Sequence, residues 1–219
     1  MTDDLLLRLD ALCDDGLTVR ALGEQVVIRL RQQIPCDGYV FAATDPVTMV
    51  AVSPVADVPM LPWPRLPELI RRRYLAPSRQ VDTLLEATSG VWDALLAEIG
   101  VVDTAAVGFV DRYGAWGYVE LWRTGSHFKQ RELDLLGRLS PTMAKGVRGA
   151  IARTFNNTTE LLVPIGPAVA VLGPDLTLRS QTDNAAATLL QLLPPGEEMA
   201  PIPAAAYNVG AALLAHEAG

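Results

Sequence analysis

"AWGYVELWR", residues 115–123, is the stretch whose reading decides the fold. Successive side chains of a β-strand point to opposite faces, so Trp116, Tyr118, Glu120 and Trp122 are expected on one side and Gly117, Val119, Leu121 and Arg123 on the other. One side is largely aliphatic, and the other sets a single carboxylate among aromatic rings. The preceding "TAAVGFVDR", residues 104–112, reads as its partner strand across a turn at Tyr113-Gly114.

Working outward, "YVFAAT" at 39–44 and "TMVAVS" at 48–53 form a second strand pair around the turn residues Asp45-Pro46. Upstream of it, Leu5, Leu6, Leu9, Leu12 and Cys13 recur at helical spacing, with Asp3 or Asp4 as cap and Asp14-Asp15-Gly16 as terminator. Thr18 caps a second helix that Pro35 closes. Residues 54–67 carry five prolines and Trp63, which predicts a long irregular connection of the kind that covers a site. "ELIRRRYLA" then predicts a short helix exposing Arg71, Arg72 and Arg73, and "VWDALLAEIG" a helix ended by Gly100.

Downstream, "FKQRELDLLGRLSPTMAKGVRGAIARTF", residues 128–155, predicts a long helix. Leu133, Leu136, Ser140, Met143, Val147 and Ala150 give a 3–4 stripe, and Leu135, Leu139 and Ile151 widen it beyond one sheet face, leaving part for a second subunit or for its own sheet. Pro141 is expected to kink this helix or restart it with Ser140 as cap. Small Gly137, Gly146 and Gly149 would let a neighbouring helix approach closely.

Charge divides the chain. Residues 1–155 carry 17 basic and 19 acidic side chains, whereas 156–219 carry Arg179 alone against six acids. With Asn156-Asn157-Thr158-Thr159 at the change, two domains are expected, 1–157 and 158–219. A net charge of −7 opposes phosphate-backbone binding by the overall field. Cys13 and Cys36 belong to no ligand or disulfide pattern, no metal site is written, and no apolar run approaches a membrane span; a cytoplasmic protein is expected. His127 and His216, the only histidines, accompany no nucleophile elbow or phosphate loop, so no catalytic residue is assigned and an enzyme is not expected.

The order helix, helix, strand pair, long cover with small helices, strand pair, long helix resembles a GAF domain, the small-molecule sensing module. The residues that carry the likeness are "AVGFVDRYGAWGYVELWR" and the helix opening Phe128, Glu132 and Leu136, which matches a Phe-x-x-x-Glu-x-x-x-Leu pattern. "GPAVAVLGPDLTLRSQTDNAAATLL", residues 166–190, looks like the first hairpin and helix of a PAS domain. Together they resemble actinobacterial LuxR-type transcriptional regulators that join a GAF-like domain, a PAS-like segment and a helix-turn-helix, the last being absent from this sequence. The implied fold is α+β: a GAF-like antiparallel sheet flanked by helices, followed by a partial PAS-like β-hairpin and helices.

The resemblance implies that the Val119/Leu121 face packs on the terminal helices while the opposite face lines a pocket. Tyr39, Phe41, Phe109, Trp116, Tyr118, Glu120 and Trp122, with Trp63 from the cover, are the candidate ligand-binding residues. Plain core is the alternative for such an aromatic stripe. A buried carboxylate needs a partner, and Glu120 could find an arginine of the 71–73 triplet or Arg112, an amine-bearing ligand, or water at an open margin. The expected function is the ligand-sensing and dimerisation region of a LuxR-type regulator, a homodimer binding an unidentified small molecule, its cofactor unknown, touching DNA only through a domain outside this chain. The alternative is a non-catalytic dimerisation scaffold with a filled core.

Overall fold

The computed structural model describes residues 2–81, 84–156, 167–190 and 202–218. The described chain divides into two compact units, one of residues 1–60 and 76–158, the other of residues 61–75 and 159–219.

The first unit opens with α1 (Thr2–Asp14) and α2 (Val19–Arg31). Thr18 caps α2 by accepting the Ala21 N–H at 3.2 Å. The sheet contains β1 (Gly38–Thr44), β2 (Ala51–Asp57), β3 (Thr88–Ser89), β4 (Asp103–Asp111) and β5 (Gly114–Arg123). Its order is β2-β1-β5-β4-β3, and every pairing is antiparallel. The short helix α4 (Ala94–Glu98), capped by Asp93, precedes β4, and α5 (Gln130–Asn156) follows β5. This is the expected α+β sheet flanked by helices.

Strand β2 starts later than its sequence indicates and runs to Asp57, into the proline-rich stretch. Pro54 sits opposite Ala42 within it. The position is tolerated because β2 is an edge strand, where a missing N–H costs no ladder bond on the open side.

One buried cluster joins α1, α2 and α5 to a single face of the sheet: Leu9, Leu22, Leu30, Phe41, Val107, Phe109, Val119, Leu121, Leu136, Met143 and Val147 belong to it. The widened stripe of α5 is consumed inside the chain, since Leu135 and Leu139 are buried in the same cluster and Ile151 packs against it. That surplus therefore does not argue for a second subunit. Gly146 allows the close contact, because a Cβ there would land on the side chain of Cys13 from α1. Pro141 lies within α5, which runs on through it. Ser140 does not cap a new helix; its hydroxyl donates to the Gly108 carbonyl at 2.6 Å and so ties α5 to β4.

Gly117 has a similar structural reason. A Cβ on it would meet the Ala42 carbonyl oxygen of β1, with Phe109 Cδ2 at 3.2 Å and Ala43 Cα at 3.3 Å. Backbone cannot step aside as a side-chain tip can. Gly117→Ala is expected to lower unfolding stability by about 1–3 kcal/mol, read from urea melts, because the strands must part to admit one methyl group.

The second unit contains α3 (Leu66–Leu75), the hairpin β6 (Ala170–Leu172) and β7 (Leu178–Gln181), then α6 (Ala185–Leu190) and α7 (Ala204–Ala218). Its core is Ile70, Leu176, Ile202, Tyr207 and Ala211, with Leu66 and Tyr74 of α3 packed against them. The helix within residues 61–75, expected to cover the sheet, thus buries its apolar side against α7. Residues 157–159 of the expected linker lie outside the described residues.

Candidate functional site

Strand β5 sorts its side chains as alternation requires from Gly117 onward. Val119 and Leu121 enter the helix-side core, while Tyr118 packs on the other face with Ala42, Val81 and Ala115. Glu120 and Trp122 follow Tyr118 in phase, and each is 1% exposed.

Glu120 answers its burial with partners from the chain. Its Oε1 accepts the Trp122 indole N–H at 2.8 Å, and its Oε2 stands 3.9 Å from Nη1 of Arg79. Arg79, 5% exposed, comes from a 3-10 turn (Pro77–Arg79) in the connection leading to β3. Its guanidinium donates to the Gly90 carbonyl at 3.1 Å and to the Thr104 hydroxyl at 3.3 Å, and it lies over the Trp92 ring at 5.8 Å from the centroid. Thr104 in turn donates to the Gly90 carbonyl at 2.7 Å. Buried charge, hydroxyl and indoles therefore meet where the connection lies on β4 and β5. Of the arginines considered as partners, Arg72 pairs with Glu68 at 2.9 Å within α3, and Arg112 stacks on Tyr113.

Only part of the expected aromatic set assembles here. Tyr118, Glu120 and Trp122 share the face with Arg79 and Trp92. Phe41 and Phe109 lie in the helix-side core with ring centroids 5.5 Å apart, and Tyr39 packs against that core. A bulge explains Phe109 and Trp116 together. Asp111 pairs with Gly114 and Val110 with Ala115, but Phe109 pairs with Gly117, so Trp116 is the extra residue. The phase shifts by one there, which sends Trp116 to the helix side. Its indole N–H donates to Asp111 at 2.9 Å. Trp63 is 40% exposed and belongs to the second unit.

A second buried arginine–glutamate pair joins the end of β5 to the start of α5. Arg123 grips Glu132 with two parallel bonds, Nη1 to Oε2 at 3.0 Å and Nη2 to Oε1 at 2.9 Å. Its Nε donates to the Pro35 carbonyl at 2.8 Å, and the guanidinium stacks on Phe128 at 4.0 Å. Glu132 also accepts the Lys129 N–H at 2.7 Å, which caps the start of α5. The Phe-x-x-x-Glu pattern is thus a clamp on Arg123. Burial raises the Glu132 carboxyl, but the Arg123 and Lys129 hydrogen bonds outweigh it and hold the pKa below the usual glutamate value.

Neither cysteine is prepared as a nucleophile. Burial pushes both thiols, Cys13 and Cys36, up to about 11, so neither is a thiolate at neutral pH. His127 has a 78% exposed side chain, with its Nδ1 at 3.5 Å from Asp103. Among the described residues no group of three metal-ligating side chains converges, and no helix is long and apolar enough to cross a membrane.

No protein-family model and no curated protein matches the chain. Solved structures similar to it include the phycoerythrobilin-bound GAF domain from a cyanobacterial phytochrome, at 14% identity and TM-score 0.47, covering 70% of this chain and 98% of that one. A GAF domain from a phosphoenolpyruvate-protein phosphotransferase of Coxiella burnetii is similar at 16% identity and TM-score 0.45, covering 70% and 96%. The N-acylhomoserine lactone dependent LuxR family transcription factor CepR2 from Burkholderia cenocepacia is similar at 15% identity and TM-score 0.43, covering 73% and 98%. At these levels the likeness concerns the arrangement of helices and strands.

Proposed function

We propose that this chain is the ligand-sensing region of a LuxR-type transcriptional regulator, binding a small molecule on the sheet face that carries Tyr118, Glu120 and Trp122. The observation that carries the reading is Glu120: a buried carboxylate placed between an indole and an arginine that a non-sheet connection supplies. A strand fixes one partner and a short turn holds the other, so a ligand that moves the turn changes the sheet's cover without breaking the ladder. Such a ligand shifts the output by binding one arrangement better than the other, with α5 as the element leading away from β5. The protein acts without catalysis in the cytoplasm, as a homodimer, and contacts DNA through a helix-turn-helix outside these residues. The hairpin and helices of the second unit stand in the place of a partial PAS-like segment.

The second reading, a dimerisation scaffold with a filled core, draws support from the same side chains, because Glu120 and Trp122 are already closed over by protein. The readings separate in a thermal-shift screen of cytoplasmic metabolites with tryptophan emission followed in parallel. The sensor is expected to give at least one compound that raises the melting temperature and alters emission. A screen in which no compound does either, with sedimentation showing a stable dimer, leaves the scaffold.

A further inference from the structure

We infer that Tyr113, at the tip of the β4–β5 hairpin, is a phosphorylation site whose phosphate is received by Arg112 and Arg148, tying the hairpin to α5. The inference stands apart from the ligand reading above.

Access singles out this residue. The chain has five tyrosines, and all of them lie among the described residues. Tyr118 and Tyr207 are buried, Tyr39 and Tyr74 are half-buried, and Tyr113 alone is exposed, at 56%. It lies in the two-residue turn between β4 and β5, where its backbone N–H donates to Asp111 at 2.8 Å. A turn held by its own hydrogen bonds presents the phenol to an enzyme without any strand having to part.

Charge prepares the same place for an anion. The Arg112 guanidinium donates to the Tyr113 hydroxyl and lies 4.6 Å from the ring centroid, while that of Arg148, from α5, lies over the ring at 4.5 Å. A neutral phenol thus holds two positive charges close together. Asp111, 3.4 Å from Nη1 of Arg148, sets one negative charge against the two. Stacking explains guanidiniums over the ring faces. The bond from Arg112 adds a donor at the very atom that would be modified.

Transfer of the γ-phosphoryl group from a nucleoside triphosphate breaks its bond to the β-phosphate oxygen and forms a P–O bond to Oη of Tyr113. The nucleoside diphosphate and the phenolic proton leave. The ester carries about two negative charges and three strong acceptor oxygens. Opposite two guanidiniums such a group makes charge-assisted hydrogen bonds to both. Because Arg112 belongs to the turn and Arg148 to α5, the phosphate bridges the hairpin to the helix that leads away from β5.

The full chain, a promiscuous protein tyrosine kinase and adenosine triphosphate test the site. Peptide mapping by mass spectrometry is expected to place the phosphate mainly on Tyr113, and Tyr113→Phe is expected to lose that modification. Phosphate mainly on another tyrosine, or on none, overturns the inference. On the phosphorylated chain, phosphorus NMR follows the second ionisation of the ester. Its pKa is expected to fall from the usual value of about 6 to about 5 or below, because the two guanidiniums favour the dianion. In Arg112→Met and in Arg148→Met it is expected to return toward about 6. A value of about 6 in the native sequence means that neither arginine holds the phosphate and overturns their role. That titration decides the matter even where a variant fails to fold.

Discussion

Arg123→Met is expected to destabilise the first unit by about 3–5 kcal/mol, the usual cost of stripping one partner from a buried ion pair. The change removes both bonds to Glu132, the bond to the Pro35 carbonyl and the stack on Phe128, so the loop before α5 and the start of that helix loosen together. Arg123→Lys should recover little, because one ammonium cannot make two parallel bonds to a carboxylate. Urea unfolding of the three proteins checks the order. The pair also sets a pH dependence. Glu132 has its folded pKa held below the ordinary glutamate value of 4.5, so its contribution is complete above that value and is lost as the pH falls through the lower, folded one. Asp37, Asp45 and Asp111 are lowered as well and act in the same direction. In Arg123→Met the part of this acid sensitivity that Glu132 owes to the arginine should disappear, leaving a shallower loss of stability below about pH 4.5.

The strands and long helices were legible because each carries its own period. Val119 and Leu121 announce a buried face, and Leu136, Met143 and Val147 announce the helix that lies on it. The phase of neighbouring strands is a different matter, since it depends on one bulge that no periodicity encodes. Without an extra residue the two-residue turn would set Phe109 opposite Trp116; with it, Phe109 falls opposite Gly117 and joins Phe41 under the helices. A glycine opposite a phenylalanine is the trace that the bulge leaves in the sequence. Arg79 leaves none. It stands alone in "PSRQ", between segments without a repeat, and its role exists only because the chain returns it to β5 from 41 residues away. The basic triplet at 71–73 is the more conspicuous positive charge, although its helix belongs to the other unit. Local pattern finds elements, while a buried polar contact between a turn and a strand is set by the tertiary fold.

Arg79→Met is expected to cost about 3–5 kcal/mol, like its counterpart, and the comparison with Glu120→Gln decides what the pair is for. Removing the guanidinium leaves Glu120 buried with its indole donor but without the positive charge of Arg79, and releases the Gly90 and Thr104 acceptors that hold the connection down. Glu120→Gln keeps the shape, can still accept from Trp122, and removes the charge that Arg79 offsets. If the pair is coupled mainly by charge, the double variant should be more stable than Arg79→Met alone, with an interaction energy of about 1–3 kcal/mol in a double-mutant cycle measured by urea unfolding. Additivity of the two changes would mean that Arg79 serves only to pin the connection through Gly90 and Thr104. The burial of Glu120 would then rest on the indole and its other neighbours. Strong coupling means that the connection is held to the sheet partly through the charge of Glu120 on β5, and not by its backbone and hydroxyl contacts alone.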